Sequence, residues 1–412
     1  MPGLNIVEAS GILKDRYLPK VRSQVNNKTL LLTEVRRSSD AVEHDGDGAE
    51  AVLSLHVRRS GGIGNIGDGG TLPTRANQKY TKERIPLRTV TGRIGFTIQV
   101  MQAMKTNAGA WERTATSETK RMTNDIQRDV NRQLAGDGTG TIATTAANAA
   151  VNVIALAATT SAVQMRQFEE GMFVDISSAA TPGDAAKASN REITAVNIAA
   201  KTITVAGAAV TTAAGDWVER KGNGGALGGT TQREFTGLQA IVSDTGVLFG
   251  VDPATFSVWK SFVDSNAGTP RTTTENLLEK AMDEVNVRGD GTVNLFLASF
   301  GVARNYSNQL TGMKRANDTT KLKGGFSGLS ISTGSGSATL VAERDVPANT
   351  AFGVDTDHLA LKEWTGIEWL DDGAVLRQVP DRLELEGTAY WIADLTTDAR
   401  NAHTKVADLT ES

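Results

Sequence analysis

Three glycines form the one motif with a known phosphate-binding role. Gly62, Gly64 and Gly67 in GIGNIG match G-x-G-x-x-G, the turn that holds a dinucleotide pyrophosphate at a helix N-terminus. A strand-like segment precedes them, but the chain continues through DGGTL to Pro73, which leaves no helix to receive the phosphates. The next periodic segment is another basic strand. The motif therefore predicts a turn rather than a nucleotide site.

Two other segments carry residue types that bind metal ions. The acidic run EHDGDGAE at 43–50 resembles half of a calcium loop, but His56 stands where the closing glutamate belongs. His358 in DTDHLAL lies beside two aspartates, although a polar turn entering a strand accounts for the same residues. We expect solvated turns at both places.

Signatures of the common enzyme classes are missing. None of the four histidines lies in H-E-x-x-H, no serine lies in G-x-S-x-G, and there is no P-loop. The chain has no cysteine, which excludes disulfides, thiolate metal sites and cysteine nucleophiles. The sequence predicts a protein that is not an enzyme and has no cofactor and no metal site.

The composition predicts several domains with cores of small side chains. The chain has 412 residues, of which 39% are hydrophobic and 5% aromatic, and 42 are glycine. Its start lacks the basic and apolar regions of a secretory signal. The longest uncharged run, 138–165, has too few bulky apolar residues for a bilayer, so no membrane contact is expected.

Charge is distributed unevenly along the chain. The formal net charge is -4, yet residues 1–140 hold 21 basic and 15 acidic side chains, so the remainder carries a net charge of -10. A basic and an acidic region on one chain suit head-to-tail contacts between copies, and a basic region also suits nucleic acid. The charges alone leave both open.

The first 96 residues are predicted to be an arm and a ribbon. The arm, 1–50, combines a weak helix with a strand-like apolar patch at 30–32 and is expected to pack on something else. In 51–96, Leu53, Leu55 and Val57 alternate with polar residues, and the chain returns through a strand that Pro86 would confine to a sheet edge.

This ribbon, with its glycine-rich tip, needs a neighbour. An isolated hairpin is only marginally stable in water. Residues 51–100 hold eight basic and two acidic side chains, so the neighbouring surface is expected to be acidic.

The clearest helical signal covers 108–135. Apolar residues recur at spacings of four and seven, and at 1.5 Å per residue the helix would be about 40 Å long. The predicted core positions of this spine are Trp111, Met122, Ile126, Val130 and Leu134.

The rest of the chain alternates between β-rich and mixed segments. Short strand-like runs over 151–222 predict an inserted β domain. Helices at 274–287 and 301–310, with a buried strand between them, predict an α+β layer within 223–375. A further strand and a loose polar terminus are expected within 376–412.

Taken in this order, the segments resemble tailed-bacteriophage major capsid proteins of the Hong Kong 97 fold. The likeness is carried by LKDRYLPKVRSQVNNKTLLL, by RRSGG through GGTLP, by ERTATSETKRMTNDIQRDVNRQLAGDGTG, and by LKGGFSGLSI with VPANTAFGVDTDHLAL. It covers roughly residues 10–140 and 235–400.

The resemblance implies an α+β shell subunit. Its parts would be an N-terminal arm (1–50), an extended loop (51–96), a peripheral domain with the spine helix (97–150), an axial domain with returning peripheral strands (223–375), and a C-terminal strand and tail (376–412). The all-β insertion at 151–222 departs from the family pattern.

The implied function is structural. Copies would self-assemble into hexamers and pentamers of an icosahedral shell that encloses phage double-stranded DNA without sequence-specific binding. Portal, scaffolding or decoration proteins would be further partners. The protein would reside in the virion capsid after assembly in the bacterial host cytoplasm. Because the arm starts almost at Met1, scaffolding would be separate or absent.

Contacts between subunits are assigned to the basic residues of the arm and ribbon, which are Arg16, Lys20, Arg22, Arg58, Arg59, Arg75, Lys79, Lys82, Arg84 and Arg88. Reversing Arg84 and Arg88 to glutamate is expected to leave a folded subunit that forms no shells. Some relatives crosslink a loop lysine to a neighbour's asparagine, and Lys79 or Lys82 would be candidates by location only.

Two other functions remain open. A nucleotide-dependent enzyme would require GIGNIG to begin a helix. A surface adhesin could share the Ala, Thr and Gly-rich strands but should carry an export signal. DNA binding as a primary function is disfavoured, since a net charge of -4 suits containment of DNA better than a tight grip on its phosphates.

Overall fold

The computed structural model describes residues 28–39, 42–45, 48–99, 108–179, 186–225, 232–312, 319–321, 327–334, 336–371, 376–380 and 382–411. Within these ranges the helices are α1 (Leu30–Glu34), α2 (Ala108–Ala135), α3 (Ala162–Met165), α4 (Leu238–Ile241), α5 (Glu275–Arg288) and α6 (Phe300–Gly312), and Arg400–Ala402 forms a short 3-10 helix. None of these helices is long and apolar enough to cross a membrane.

The strands of the described residues are, in chain order, β1 (Arg36–Ser38), β2 (Val42–Asp45), β3 (Gly48–Arg58), β4 (Lys79–Pro86), β5 (Arg88–Thr97), β6 (Thr141–Thr144), β7 (Asn148–Val151), β8 (Val153–Ala155), β9 (Phe173–Ser177), β10 (Ala186–Asn197), β11 (Thr202–Val205), β12 (Val210–Thr212), β13 (Trp217–Arg220), β14 (Phe262–Asp264), β15 (Leu295–Ala298), β16 (Thr319–Lys321), β17 (Ser327–Thr333), β18 (Gly336–Ala342), β19 (Ala351–Val354), β20 (Leu359–Trp369), β21 (Arg377–Gln378), β22 (Glu384–Thr397) and β23 (Thr404–Val406).

A five-stranded sheet, which we call the peripheral sheet, supports the spine helix α2. Its strands follow the order β1-β20-β22-β21, with β5 also paired to β22. The spine helix spans the predicted residues and packs on β5, where Gly92 permits a close approach. A side chain there would place its Cβ only 3.0 Å from Cδ1 of Ile126.

The apolar patch at 30–32 is a helix rather than the predicted strand. Leu30, Leu31 and Leu32 are all buried, and α1 contacts the spine helix. The amide of Leu32 donates to Oδ1 of Asn131 at 3.2 Å. A single helical turn can bury three consecutive leucines among surrounding elements, whereas a strand would turn alternate ones to opposite faces.

The ribbon consists of β3 and β4, with β2 along the other edge of β3. Leu55 and Val57 are buried and the intervening His56 is exposed, as the alternation predicts. β4 is an edge strand and ends at Pro86, which cannot donate a backbone hydrogen bond. From Arg88 onward the chain belongs to the peripheral sheet instead of the ribbon.

The inserted β structure begins earlier than expected, at Thr141. A six-stranded sheet has the order β6-β13-β9-β10-β11-β8, and β12 pairs with β7 beside it. Ile154, Ile176 and Ile203 belong to a buried core that this segment forms by itself. Its first and last strands pair, so Thr141 lies opposite Glu219 and the insertion leaves and rejoins the chain at one place.

A seven-stranded sheet, which we call the axial sheet, has the order β14-β23-β19-β15-β18-β17-β16. The predicted helices are confirmed as α5 and α6, and the buried strand between them is β15. The prediction of a loose C-terminus is wrong. β23 lies inside this sheet, Arg400 and His403 are buried, and Leu409 belongs to a hydrophobic core beneath the sheet.

Candidate assembly surfaces

The ribbon ends in a tip, residues 59–78, that projects from the paired strands. Pairing runs from Glu50 opposite Pro86 to Arg58 opposite Lys79. In the tip, Ile63 is 88% and Leu72 77% exposed. Large apolar side chains that cluster on a projecting loop are typical of a contact surface.

The tip is shaped by its own hydrogen bonds. The hydroxyl of Ser60 donates to the carbonyl of Ala76 at 2.5 Å, and the amide of Gly70 donates to the carbonyl of Gly67 at 2.9 Å. Gly69 has a φ of 72°, which favours glycine in that turn. No helix follows GIGNIG within the tip, so the element that a pyrophosphate needs is missing there.

Most of the predicted ribbon contacts are exposed basic side chains. Arg58, Arg59, Arg75 and Lys82 are exposed and have no carboxylate partner among the described residues. Together with the apolar tip they form a positively charged, partly apolar surface, which we call the ribbon surface. Such a surface fits an acidic partner with apolar depressions.

Two basic residues of β4 contact the same chain. Arg84 pairs with Glu50 at 3.1 Å while its side chain remains 60% exposed, and its backbone amide donates to the carbonyl of Phe249. The ammonium of Lys79 lies 4.9 Å from the ring centre of Phe256. The ribbon therefore rests along the 249–256 segment at its base.

Arg88, which was predicted to contact a neighbouring subunit, is instead enclosed within its own chain. It is buried and forms an ion pair with Asp394 of β22, and it also donates to the carbonyls of Pro86 and Gln232. Burial raises the pKa of Asp394 to about 6, with Arg88 acting in the opposite direction. Arg88 therefore links the start of β5 to β22 and to the backbone of Gln232.

One strand of the arm, β1, joins the sheet of β20 and β22. β1 pairs in parallel with β20, and Arg37 lies 3.6 Å from Glu363 and 5.3 Å from the ring centre of Trp391. The predicted contacts Arg16, Lys20 and Arg22 lie outside the described residues.

The predicted core positions in the second half of the spine helix pack into the core. Ile126, Val130 and Leu134 are buried, and Met122 packs against the same core while partly exposed. The side chain of Trp111 lies outside the described ones.

Ion pairs link the spine to the insertion. Arg220 of β13 lies 2.7 Å from Asp129, and Asp129 lies 3.1 Å from Arg132. Arg132 also pairs with the buried Glu234 of the connector, and Arg128 pairs with Glu169 of the insertion. Burial favours the neutral form of Asp129, but Arg132 and Arg220 outweigh it and hold the pKa of the carboxyl below its usual range.

The candidate metal ligands of the sequence serve other purposes. Nδ1 of His358 lies 2.7 Å from Oδ1 of Asp398, and Oδ2 of Asp355 accepts a hydrogen bond from the amide of Thr292. The described part of the chain contains no group of three or more metal-binding side chains.

Two buried polar residues had no clear signal in the sequence. The guanidinium of Arg400 donates to four backbone carbonyls, those of Ala240, Ile241, Thr245 and Gly246. Glu83, one of two acidic residues in the basic 51–100 segment, is fully buried. The negative charge of Glu83 among basic neighbours was the one signal in the sequence. The alternation of polar and apolar residues did not show that this side chain is buried.

Comparison with known proteins finds one matching family model and several similar capsid structures. Residues 217–373 match the family described as SU10 major capsid protein. The chain is similar to a capsid protein of cyanophage A-1(L), with a TM-score of 0.56 and 11% identity over 98% of each chain. It is also similar to the capsid protein of a native GTA particle, with a TM-score of 0.52 and 11% identity over 99% of this chain and 100% of that one. No curated protein matches.

These matches confirm the resemblance to tailed-phage major capsid proteins and the α+β capsid fold expected from the sequence. Neither they nor the described residues favour the nucleotide-dependent enzyme or the surface adhesin.

Proposed function

We propose that this chain is the major shell subunit of a tailed-phage capsid and that its copies join through the ribbon surface. The fold and the family match support the structural role. The observation that supports the contact is the tip, in which Ile63 and Leu72 are exposed and the exposed Arg59 and Arg75 have no carboxylate partner among the described residues. Contact with another copy would bury these side chains and supply charge partners for the arginines.

The partner of the ribbon surface is a second copy of the chain. The region beyond residue 140 carries a net charge of -10, which complements the basic ribbon. A contact between unlike surfaces is head-to-tail and closes into rings when the rotation between copies permits. Hexamers and pentamers would be such rings, and many weak contacts repeated by symmetry would stabilise the shell.

The shell resides in the virion, is assembled in the bacterial host cytoplasm and encloses double-stranded DNA without reading its sequence. The overall charge of -4 favours containment over tight phosphate binding. Portal, scaffolding or decoration proteins complete the particle.

The test removes the apolar part of the ribbon surface. In the variant Ile63→Ser with Leu72→Ser, we expect a folded subunit that no longer forms rings or shells, measured by sedimentation velocity and negative-stain microscopy. The matched control is Val287→Ser, since Val287 in α5 is 82% exposed and apolar but lies outside the ribbon. The control should assemble like the unaltered chain.

Normal shells from the double variant would contradict the ribbon contact while leaving a structural role intact. If the unaltered chain stays monomeric, the same comparison is made after co-expression with neighbouring phage genes. A chain that forms no shell under either condition would contradict the shell function.

A further inference from the structure

A carboxyl group is buried where the ribbon meets the body of the protein. Glu83 lies in β4 on the inward face, next to the buried Ile85. Its side chain is fully buried, whereas Lys82 and Arg84 on either side are exposed. Acidic side chains are almost never fully buried without a partner of opposite charge.

The hydrogen bonds of Glu83 satisfy only half of its carboxyl. Oε1 accepts a hydrogen bond from the hydroxyl of Thr396 in β22 at 2.9 Å. Oε2 is buried and has no hydrogen-bond partner among the described residues. An ionised carboxylate would leave a charged oxygen unsolvated, but a neutral carboxyl carries a much smaller penalty.

Two further groups, Asp398 and Lys362, act on the charge state of Glu83. Asp398, just after β22, repels a negative charge, while Lys362 of β20 attracts one. Asp398 is itself paired with His358, and the ammonium of Lys362 donates to the hydroxyl of Ser38 in the arm strand at 3.3 Å. Burial raises the pKa of Glu83 to about 8, against the Thr396 hydrogen bond and Lys362, which lower it, and together with Asp398, which raises it.

We propose that Glu83 acts as a latch for the ribbon root, the paired segments 50–57 and 79–86. The protonated carboxyl of Glu83 holds the root on β22, and ionisation of this carboxyl loosens the root. The latch belongs to the folded subunit. Only its use, to free the ribbon for placement on another copy, rests on the proposed function.

The direction of the pH effect follows from linkage. In the docked root the carboxyl has a pKa of about 8, and in a loosened, hydrated root it returns towards its ordinary value of 4.5. Between these values the docked state holds a proton that the loosened state has lost. Each pH unit in that window therefore favours loosening about tenfold, and the effect levels off above the higher value.

The experiment measures hydrogen exchange of the root amides in 50–57 and 79–86 in the soluble subunit by mass spectrometry between pH 6 and 9, after correction for intrinsic exchange rates. We expect the opening equilibrium of the unaltered root to rise about tenfold from pH 6 to pH 7 and to level off above pH 8. In Glu83→Gln, which is always neutral, that rise should disappear. Asp68→Asn, which removes the other acidic residue of the ribbon segment from its exposed tip, should behave like the unaltered chain.

Two variants move the transition in opposite directions and do not depend on the folding of Glu83→Gln. Thr396→Val removes the hydrogen bond that lowers the pKa, so the plateau should move to higher pH. Asp398→Asn removes the repelling charge, so the plateau should move to lower pH. Equal pH profiles for the unaltered chain and these variants would overturn the latch. Because the readout is made on the subunit, a failure to form shells does not affect it.

Discussion

The ribbon and the insertion are both β structures, but they are stabilised in different ways. The insertion buries Ile154, Ile176 and Ile203 in a core of its own. In the ribbon, Leu55 and Ile85 belong to the core that the spine helix and the peripheral sheet also share. A segment with its own core keeps its shape wherever it is attached, whereas one that shares a core depends on its docking surface.

This difference implies that the contacts at the base of the ribbon set the position of the whole ribbon. The root of the ribbon shares the core of the spine helix and the peripheral sheet, and it also bonds to β22 and to the 249–256 segment. A change at the root can therefore alter the ribbon's position without unfolding the rest.

The largest contrast is expected between isolated fragments. A fragment of residues 140–222 should fold alone and melt cooperatively, because it contains a complete core and its ends lie together in paired strands. A fragment of residues 48–86 should give the circular dichroism of an unfolded chain. A cooperative melt for the ribbon fragment, or none for the insertion fragment, would reverse the comparison.

Substitution of two arginines compares a buried ion pair with an exposed one. Arg88→Met should cost about 3–5 kcal/mol in the free energy of unfolding, since it leaves Asp394 buried without its charge partner. Arg84→Met should cost about 0–1 kcal/mol, because its pair with Glu50 is solvent-exposed. Urea denaturation of the soluble subunit measures both, and similar costs would show that Arg88 is not part of the buried framework.

A core substitution in the insertion should act only there. Ile203→Ala should cost about 2–5 kcal/mol in the stability of the insertion, whereas the exposed Val153→Ala in the adjacent strand should change it by less than about 0.5 kcal/mol. Hydrogen exchange in the ribbon strands should be unchanged in both variants. Faster exchange in the ribbon of Ile203→Ala would show that the two regions share a core after all.

The smallest effect on stability is expected at the tip. Ile63→Ser should change the free energy of unfolding by less than about 0.5 kcal/mol, since the side chain is 88% exposed. Thermal unfolding of the unassembled subunit measures this. A large loss would indicate that the tip packs on its own subunit and would weaken its assignment to contacts between copies.

Sequence patterns were accurate where structure depends on nearby residues. The periodicity predicted the spine helix over 108–135, and the alternation around Leu55 predicted the inner and outer faces of the ribbon. The capsid resemblance also followed from the order of segments along the chain.

The errors occurred where distant residues meet. Arg84 and Arg88 share one alternation parity, yet the chain passes from one sheet to another between them, so only Arg84 stays at the surface. Leu30–Leu32 became a helical turn because the spine helix packs against it.

The sequence by itself determined the long helix, the alternating strands and the uneven charge, since each depends on residues a few positions apart or on composition alone. The tertiary structure decided which charged residues are buried. Asp394 meets Arg88 and Thr396 meets Glu83 across about 300 residues of chain. The free energy of a charge depends on such neighbours and on exclusion of water, and both are properties of the folded chain.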